Sequence, residues 1–266
     1  TIPKMVANFP TVLSNTSEAK DLKIKSGASL VVIGTIKIAG TINNSGNFNV
    51  SNGTLEMEGT NGQSLAGSMF ENKTIKNLVI NNTGSGVTVS SAANDTLKLT
   101  GLLSFGNASA ILNTGDNITL VSNNSGTASV GVVGASNSIN GNVIVERFIN
   151  TGTAAGEHPK SWQFLATPTS GQTIKQSWME NGTAAIYYGT MISGPSGPAA
   201  GFDISSPAAS MKYYNYATYS WTGVANTGDP VVNRKGYMFF VRGDRTVTGA
   251  TQAANPTVLR TKGTLN

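Results

Sequence analysis

The sequence of 266 residues carries a net charge of only +5, contains 12% Asp, Glu, Lys and Arg, and has no cysteine. The lack of any Lys/Arg run argues against nucleic acid as a partner, and the lack of cysteine excludes disulfides and thiolate metal sites. No apolar run approaches the roughly 18 to 20 residues of a membrane helix, so no membrane insertion is expected. Because charged residues are few, solubility must come from Asn, Ser, Thr and Gly, which is typical of extracellular all-β surfaces.

The composition changes near residue 147. Residues 1–146 contain no Trp, Tyr or Arg, whereas the remainder contains all three types. We therefore predict an all-β chain of two domains. Residues 1–147 are predicted to form a β-helix with an N-terminal cap in "TIPKMVANFPTVLSNTSEAK". Residues 148–266 are predicted to form a β-rich, sandwich-like module that is truncated at its C-terminal end.

The first half is a series of aliphatic pairs in which residues i and i+2 point to the same side. Each pair marks a short strand with one buried face, and each is followed by Gly or Asn, which tolerate the left-handed conformation of a sharp corner. The pairs are Leu22/Ile24, Leu30/Val32, Ile36/Ile38, Phe48/Val50, Leu55/Met57, Leu78/Ile80, Val87/Val89, Leu97/Leu99, Leu103/Phe105 and Ile118/Leu120, followed by Ile144 and its neighbours.

The spacing of these strands predicts a right-handed parallel β-helix, a solenoid in which three strands about six residues apart make a coil of roughly 18 to 20 residues. Stacked coils would share an aliphatic interior and bond their backbones to neighbouring coils. The competing interpretation is an antiparallel sandwich, in which strands run about five or six residues and turns come every 8 to 12. The denser turns in this sequence favour the β-helix.

The second half has a strand in "VIVERFI", a strand with Trp162 and Phe164, a long irregular stretch, and a strand in "KGYMFFVRGD". The ordered segments "VERFI", "SWQFLATPTSGQTI", "SWMENG", "GTMISGPSG", "GFD", "YSWTGVANTG", "KGYMFFVRGDR" and "TVLRTKGTL" resemble a region of very large Bacteroidetes cell-surface proteins. Those proteins are exported by the type IX secretion system, and some are linked to gliding motility and adhesion. The resemblance spans residues 143–266, while the first half resembles only generic β-helical stretches.

The resemblance implies that the protein is secreted and displayed at the bacterial cell surface. It also implies two kinds of partner, the type IX translocon and its shuttle components. These would act through a C-terminal sorting domain, which this segment does not contain.

Candidate catalytic residues are few. His158 is the only histidine and lies in the loop "GEHPK" beside Glu157, whereas a triad needs an oriented base and a zinc site usually needs several ligands. Glu56 and Glu58 share one outward strand face, where a carboxylate pair could serve acid–base chemistry, but an exposed polar strand face explains them equally well. We expect no enzyme activity, no cofactor and no metal.

Two further motifs invite a binding function. "RGD" at residues 242–244 resembles an integrin ligand, but its place at the end of a strand favours a structural role, with Asp244 turning the chain or pairing with Arg242 or Arg245. Loops such as "GFDIS" and "NTGDP" contain single carboxylates, and calcium sites usually gather several.

An aromatic cluster is the candidate contact with glycans. Flat rings can stack on sugars, although the same residues could form the core or lid of the second module. The residues of the aromatic cluster are Tyr213, Tyr214, Tyr216, Tyr219 and Trp221.

Asp95-Thr96-Leu97 resembles the O-glycosylation signal of exported Bacteroidetes proteins, in which Thr96 would carry the glycan.

Two functions from different classes remain. The sequence favours a non-catalytic structural or adhesive segment of a large secreted surface protein, with the β-helix as a stiff stalk. The alternative is a carbohydrate-binding or polysaccharide-degrading β-helix protein.

Overall fold

The computed structural model describes residues 1–2, 10–12, 15–232 and 235–265. Four short 3-10 helices occur in this part, at Gly67–Met69, Glu71–Lys73, Glu180–Gly182 and Gly197–Ala200. All other regular structure there is β. The strands are β1 Thr11–Val12, β2 Thr16–Ala19, β3 Leu22–Ile24, β4 Ser29–Val32, β5 Thr35–Ile38, β6 Ile42–Asn44, β7 Asn47–Met57, β8 Gln63–Leu65, β9 Thr74–Ile80, β10 Val87–Val89, β11 Leu97–Leu99, β12 Leu102–Phe105, β13 Ile111–Asn113, β14 Ile118–Leu120, β15 Ser122–Asn123, β16 Gly126–Thr127, β17 Ser129–Val130, β18 Ser138–Asn140, β19 Val143–Ile149, β20 Ser161–Ala166, β21 Thr169–Ser170, β22 Ser193–Gly194, β23 Ile204–Ser205, β24 Met211–Asn215, β25 Ser220–Gly223, β26 Gly236–Val241 and β27 Thr257–Leu265.

The chain divides into two compact units. The first comprises Thr1–Val121 with Gly126–Val143, and the second comprises Ser122–Ser125 with Ile144–Asn266. The predicted domain boundary at residue 147 lies inside β19. Of the predicted N-terminal cap, residues 3–9 and 13–14 lie outside the described residues, while β1 and β2 already pair with strands of the following coil.

The first unit is a parallel β-solenoid of about six coils, as the sequence predicted. Most of its strands pair in parallel with the strand at the same position of the next coil, which overturns the competing antiparallel interpretation for this half. The coils build three faces. The first face contains β1, β4, the start of β7, the start of β9, β11 and β14. The second face contains β2, β5, the end of β7, the end of β9, β12 and β17. The third face contains β3 with β6 and then β8, β10, β13 and β18.

Coil length increases along the solenoid. Thr16 pairs with Thr35, and Thr35 pairs in turn with Thr54, so the first coils have the length that the sequence predicted. Further along, Leu78 pairs with Leu103, which is a longer step. The predicted coil length is therefore wrong for the later coils, because turn segments such as the two 3-10 helices between β8 and β9 lengthen them.

The solenoid interior is mainly aliphatic. The inward-facing pairs predicted from the sequence are buried, except that Phe105 and Ile144 are only half-buried. Because most of its strands are short, a coil contributes few side chains, and the core exists only where successive coils stack. The ring of Phe48 also packs against the ring of Phe70, with the two centroids 5.3 Å apart.

One corner of the solenoid, where the second face turns into the third, carries a ladder of amide side chains, of which Gln63 and Asn82 are buried and Asn107 and Asn137 half-buried. Nδ2 of Asn82 donates to the Asn61 carbonyl at 2.7 Å and to Gln63 Oε1 at 3.0 Å. Nδ2 of Asn107 donates to the Asn82 carbonyl at 3.2 Å, and Nδ2 of Asn137 donates to the Asn107 carbonyl at 2.8 Å. Each amide therefore bonds to the coil before it, so the ladder fixes the corner register.

The second unit is built around a four-stranded antiparallel sheet in the order β20, β26, β24, β25. β27 also pairs antiparallel with β21. Trp178 packs against Phe239 and Tyr237 in the core, with ring centroids 5.3 and 5.7 Å apart. The all-β character of this half is confirmed, whereas its sandwich arrangement stays a prediction.

A buried ion pair stabilises the loops of the second unit. The Asp203 carboxylate binds both terminal nitrogens of Arg245 at 2.7 Å, and its Oδ2 accepts the Ile192 N–H at 2.8 Å. Nε of Arg245 donates to the Thr183 carbonyl at 3.0 Å. This bidentate pair satisfies the charge of a guanidinium that is almost fully buried.

Replacing Asn82 by Ala should destabilise the solenoid by about 2 kcal/mol, because the buried N–H of Gly86 would lose its acceptor and the ladder would lose its link to Gln63. Denaturant unfolding followed by far-UV circular dichroism measures the loss. Asn43→Ala, which removes an exposed amide from a solenoid strand, is the matched control and should change stability by less than about 0.5 kcal/mol. Equal effects of the two substitutions would show that the amide ladder does not stabilise the solenoid.

Replacing Asp203 by Asn should destabilise the second unit by about 3 to 5 kcal/mol, because it leaves the Arg245 charge buried without a counterion. Tryptophan fluorescence reports this unit alone, since all three tryptophans lie in it. Asp229→Asn, at an exposed carboxylate, is the control. A loss for Asp203→Asn no larger than for the control would show that the pair is not stabilising.

Candidate functional site

The four-stranded sheet of the second unit presents two chemically different faces. Alternate residues of β26, which are Tyr237, Phe239 and Val241, lie in the core. On the opposite face, Phe164 of β20 stands opposite Met238, and Tyr214 of β24 stands opposite Trp221 of β25. Phe164 is 73% exposed and Trp221 is 42% exposed. The alternation of strand side chains therefore places an aromatic face toward solvent.

The rings of this face contact one another across the sheet. The Phe164 and Trp221 centroids are 5.8 Å apart although β20 and β25 are the two outer strands of the sheet. Trp221 lies 5.6 Å from Tyr214, which lies 5.1 Å from Tyr216. Ring centroids at these separations attract one another, so the exposed rings form a preorganised surface.

A groove of about 880 Å³ opens at the end of this sheet beside the β24–β25 turn. Its volume is within the range of small-molecule binding sites, and its one charged lining residue among those described is Lys235. The Lys235 ammonium lies 3.6 Å from the centroid of the Tyr213 ring. The aromatic residues that line the groove are Phe164, Tyr213, Tyr214, Tyr216, Trp221 and Tyr237.

Four of the five aromatic residues proposed as glycan contacts line the groove, and three of these contact one another. Tyr214, Tyr216 and Trp221 form a chain of contacts at the groove, whereas Tyr213 points to the other side of its strand and packs against the core cluster. Tyr213 thus matches the alternative that the cluster forms core or lid. Tyr219 is 81% exposed in the hairpin turn and is not among the residues that line the groove.

Nine of the thirteen described residues that line the groove were not proposed as contacts from the sequence. Among them, Phe164 lies in β20, Lys235 immediately precedes β26 and Tyr237 lies in β26, all outside the segment that holds the cluster. The alternation of Trp162 and Phe164 in "SWQFLA" signalled an aromatic strand face. The sequence held no signal that this strand pairs with β26.

Glu56 and Glu58 surround a lysine on the outer surface of the solenoid. Nζ of Lys37 lies 3.8 Å from Glu56, 3.7 Å from Glu58 and 3.7 Å from Glu18. The charge of Glu56, and then those of Glu58 and Glu18, raise the pKa of Lys37 above its ordinary value. Asn81 also donates to Glu56 at 2.6 Å. The pair therefore belongs to a charge ladder across coils.

Within the part of the chain that the structure describes, the His158 ring bonds only to residues near it in sequence. Its Nδ1 lies 3.0 Å from the Pro159 carbonyl oxygen and 3.3 Å from Ser161 Oγ. The neighbouring carboxylate of Glu157 accepts the Ala154 N–H instead. Across the described residues, no group of three or more His, Asp or Glu side chains is placed to hold a metal ion.

The RGD tripeptide is built into the fold. Asp244 is fully buried; its Oδ1 accepts hydrogen bonds from N–H and hydroxyl of Thr246, and its Oδ2 accepts the Tyr187 N–H at 2.7 Å. Gly243 has φ of +129°, and a side chain there would collide with Asn255. Arg242 donates to the Met191 carbonyl. Asp244 thus turns the chain, as one of the predicted roles required, while Arg245 pairs with Asp203.

Thr96 stands immediately before β11 and is half-buried. Its hydroxyl lies 3.3 Å from Asn117 Oδ1 of the next coil. A glycan on Thr96 would have to displace this contact, and its O-glycosylation stays a prediction.

Comparison of the chain with protein-family models, curated protein sequences and solved structures finds no match. None of the helices in the described ranges has the length and apolar character needed to cross a membrane. The groove geometry is therefore the main guide to function.

The pH dependence of the stability of the second unit should reflect the ionisation of Asp244. Burial tends to raise the pKa of Asp244, but hydrogen bonds from Thr246, Tyr187 and Asn255 outweigh it, and the net pKa is below the ordinary value. A lowered native pKa stabilises the fold above the unfolded-state pKa of about 3.9, and this stabilisation is lost as pH falls through the native pKa. Asp244→Asn should therefore lose stability at about pH 7 and show a smaller decrease on acidification than the wild type.

Urea unfolding at about pH 7 and about pH 3, followed by tryptophan fluorescence, measures both quantities. Asp229→Asn, at an exposed carboxylate, should keep the wild-type pH dependence. An acid-induced loss as large in Asp244→Asn as in the wild type would show that Asp244 does not contribute.

Proposed function

We propose that this chain is a non-catalytic structural and adhesive segment of a large secreted bacterial surface protein. The β-solenoid serves as a stiff spacer, and the aromatic groove of the second unit is the contact site. The observation that carries the proposal is the exposed, mutually packed set of rings around the groove.

The spacer role is supported by the pairing of the solenoid. The coils hydrogen-bond to their neighbours through parallel ladders on three faces, of which the third is interrupted between β6 and β8, and the amide ladder ties one corner. Such a unit resists bending because any relative movement of two coils breaks several backbone hydrogen bonds at once.

The contact role is supported by the cost of leaving large rings in water. Phe164, Tyr216 and Trp221 together expose an apolar surface that a purely structural module would bury. Rigid aromatic side chains have few rotatable bonds, so little conformational entropy is lost when a partner binds them.

Cell-surface location, adhesion, gliding and export by the type IX system rest on the resemblance of the motifs in residues 143–266. The sparse charge and the Asn/Ser/Thr-rich composition are consistent with an extracellular setting. Contact with the translocon and shuttle components would occur through a sorting domain elsewhere in the protein.

Carbohydrate binding is the second candidate, favoured by the volume of the groove and by its packed rings. The polysaccharide-degrading form of this candidate would need a free acid–base pair. Glu56 and Glu58 are instead both ion-paired with Lys37.

Glycan-array binding tests the contact role. We expect the wild type to bind a subset of glycans, and Trp221→Ala and Tyr216→Ala each to weaken that binding about tenfold, because each removes a stacking platform. Tyr187→Ala is the control, since Tyr187 is 67% exposed and lies outside the groove lining.

Equal binding by the wild type and Trp221→Ala would contradict a contact role for the groove. Turnover of a uronic-acid polymer that disappears in the Glu56→Gln/Glu58→Gln double variant would instead support enzymatic activity.

A further inference from the structure

The described residues that line the groove carry charge of one sign. Residues 144–266 contain ten Lys and Arg and six Asp and Glu. Three of the acidic side chains are occupied elsewhere: Asp203 binds Arg245, Glu180 binds Arg260 and Asp244 is buried. None of the described residues that line the groove is acidic.

Lys235 supplies the positive charge. Its ammonium lies 3.6 Å from the Tyr213 centroid and 5.8 Å from that of Tyr237, so two ring faces hold it at the groove wall. Within the described part of the chain, no carboxylate forms an ion pair with it. An ammonium of this kind retains the capacity to donate to an incoming anion.

The positions of charge and rings define the ligand. Trp221, Tyr214 and Tyr216 offer flat apolar surfaces, while Lys235 offers one cation on the same groove. A neutral polysaccharide would use the rings and leave the ammonium unmatched. A carboxylated sugar uses both, because its ring stacks while its carboxylate receives a charge-assisted hydrogen bond.

We propose that the groove binds a uronic-acid polysaccharide, with Tyr214, Tyr216 and Trp221 stacking on sugar rings and Lys235 binding a carboxylate. This inference rests on the contact role proposed above and specifies its ligand. It requires no chemistry on the ligand, because binding alone is involved.

The test compares two polymers that differ only in their carboxylates. Polygalacturonate and its carboxyl-reduced form have the same backbone, and isothermal titration calorimetry with the full chain measures binding to each. We expect the wild type to bind polygalacturonate at least about tenfold more tightly than the reduced polymer, with the preference shrinking as salt rises.

Lys235→Met keeps the aliphatic stem but removes the charge, so it should abolish the preference while leaving binding to the reduced polymer unchanged. Lys212→Met is the matched control, since Lys212 lies over Trp162 and outside the groove lining. Trp221→Ala should weaken binding to both polymers. Tryptophan-monitored unfolding checks that Lys235→Met and Lys212→Met are folded.

The outcomes separate the two proposals. Equal binding of both polymers by the wild type, or an unchanged preference in Lys235→Met, would overturn the proposal of an acidic ligand. The proposed contact role of the groove would still stand. Binding to neither polymer would overturn the proposal of an acidic ligand, and the glycan array would then test the contact role. Concentration-dependent dimerisation in sedimentation, abolished by Trp221→Ala, would identify a second copy of the chain as the occupant and overturn the inference.

Discussion

The first unit depends on one constraint: a coil can satisfy its backbone only through the coils on either side. A short strand such as Leu97–Leu99 cannot form a sheet within its own coil, so its N–H and C=O groups bond along the stack. Parallel pairs such as Leu78 with Leu103 keep aliphatic residues of successive coils in register. A shift of one residue would turn that set toward solvent, so burial and hydrogen bonding select the same register.

The sequence revealed the solenoid because this constraint leaves a repeated local signature. Each short run such as Ile36/Ile38 or Leu97/Leu99 alternates and then stops, which a longer antiparallel strand would not do. Later coil lengths were missed because turns accept insertions without disturbing the strands. The corner amides were interpreted as turn formers. Their contacts join one coil to the next, so the role of Asn82 cannot be inferred from its neighbours in sequence.

The second unit was less predictable because its contacts are non-local. Aromatic residues near Trp221 were identified as candidates, but the groove also requires Phe164, which comes from an earlier strand through an antiparallel pairing that the sequence does not specify. The same limit applies to Asp244, whose main partners include the backbone of Tyr187. Local pattern identified the chemistry of single strands, and tertiary pairing decided which strands share a face.

The two units place their few charges in opposite ways. On the solenoid, Lys37 is shared among three carboxylates at the surface, where solvent screening keeps each pair weak. In the second unit, Arg245 and Asp203 are removed from water and fixed bidentately, so their charges are consumed by the fold. Lys235 follows neither pattern, because it rests on ring faces that attract a cation without neutralising it. Lys212 lies over Trp162 in the same way, but of these two lysines only Lys235 lines the groove.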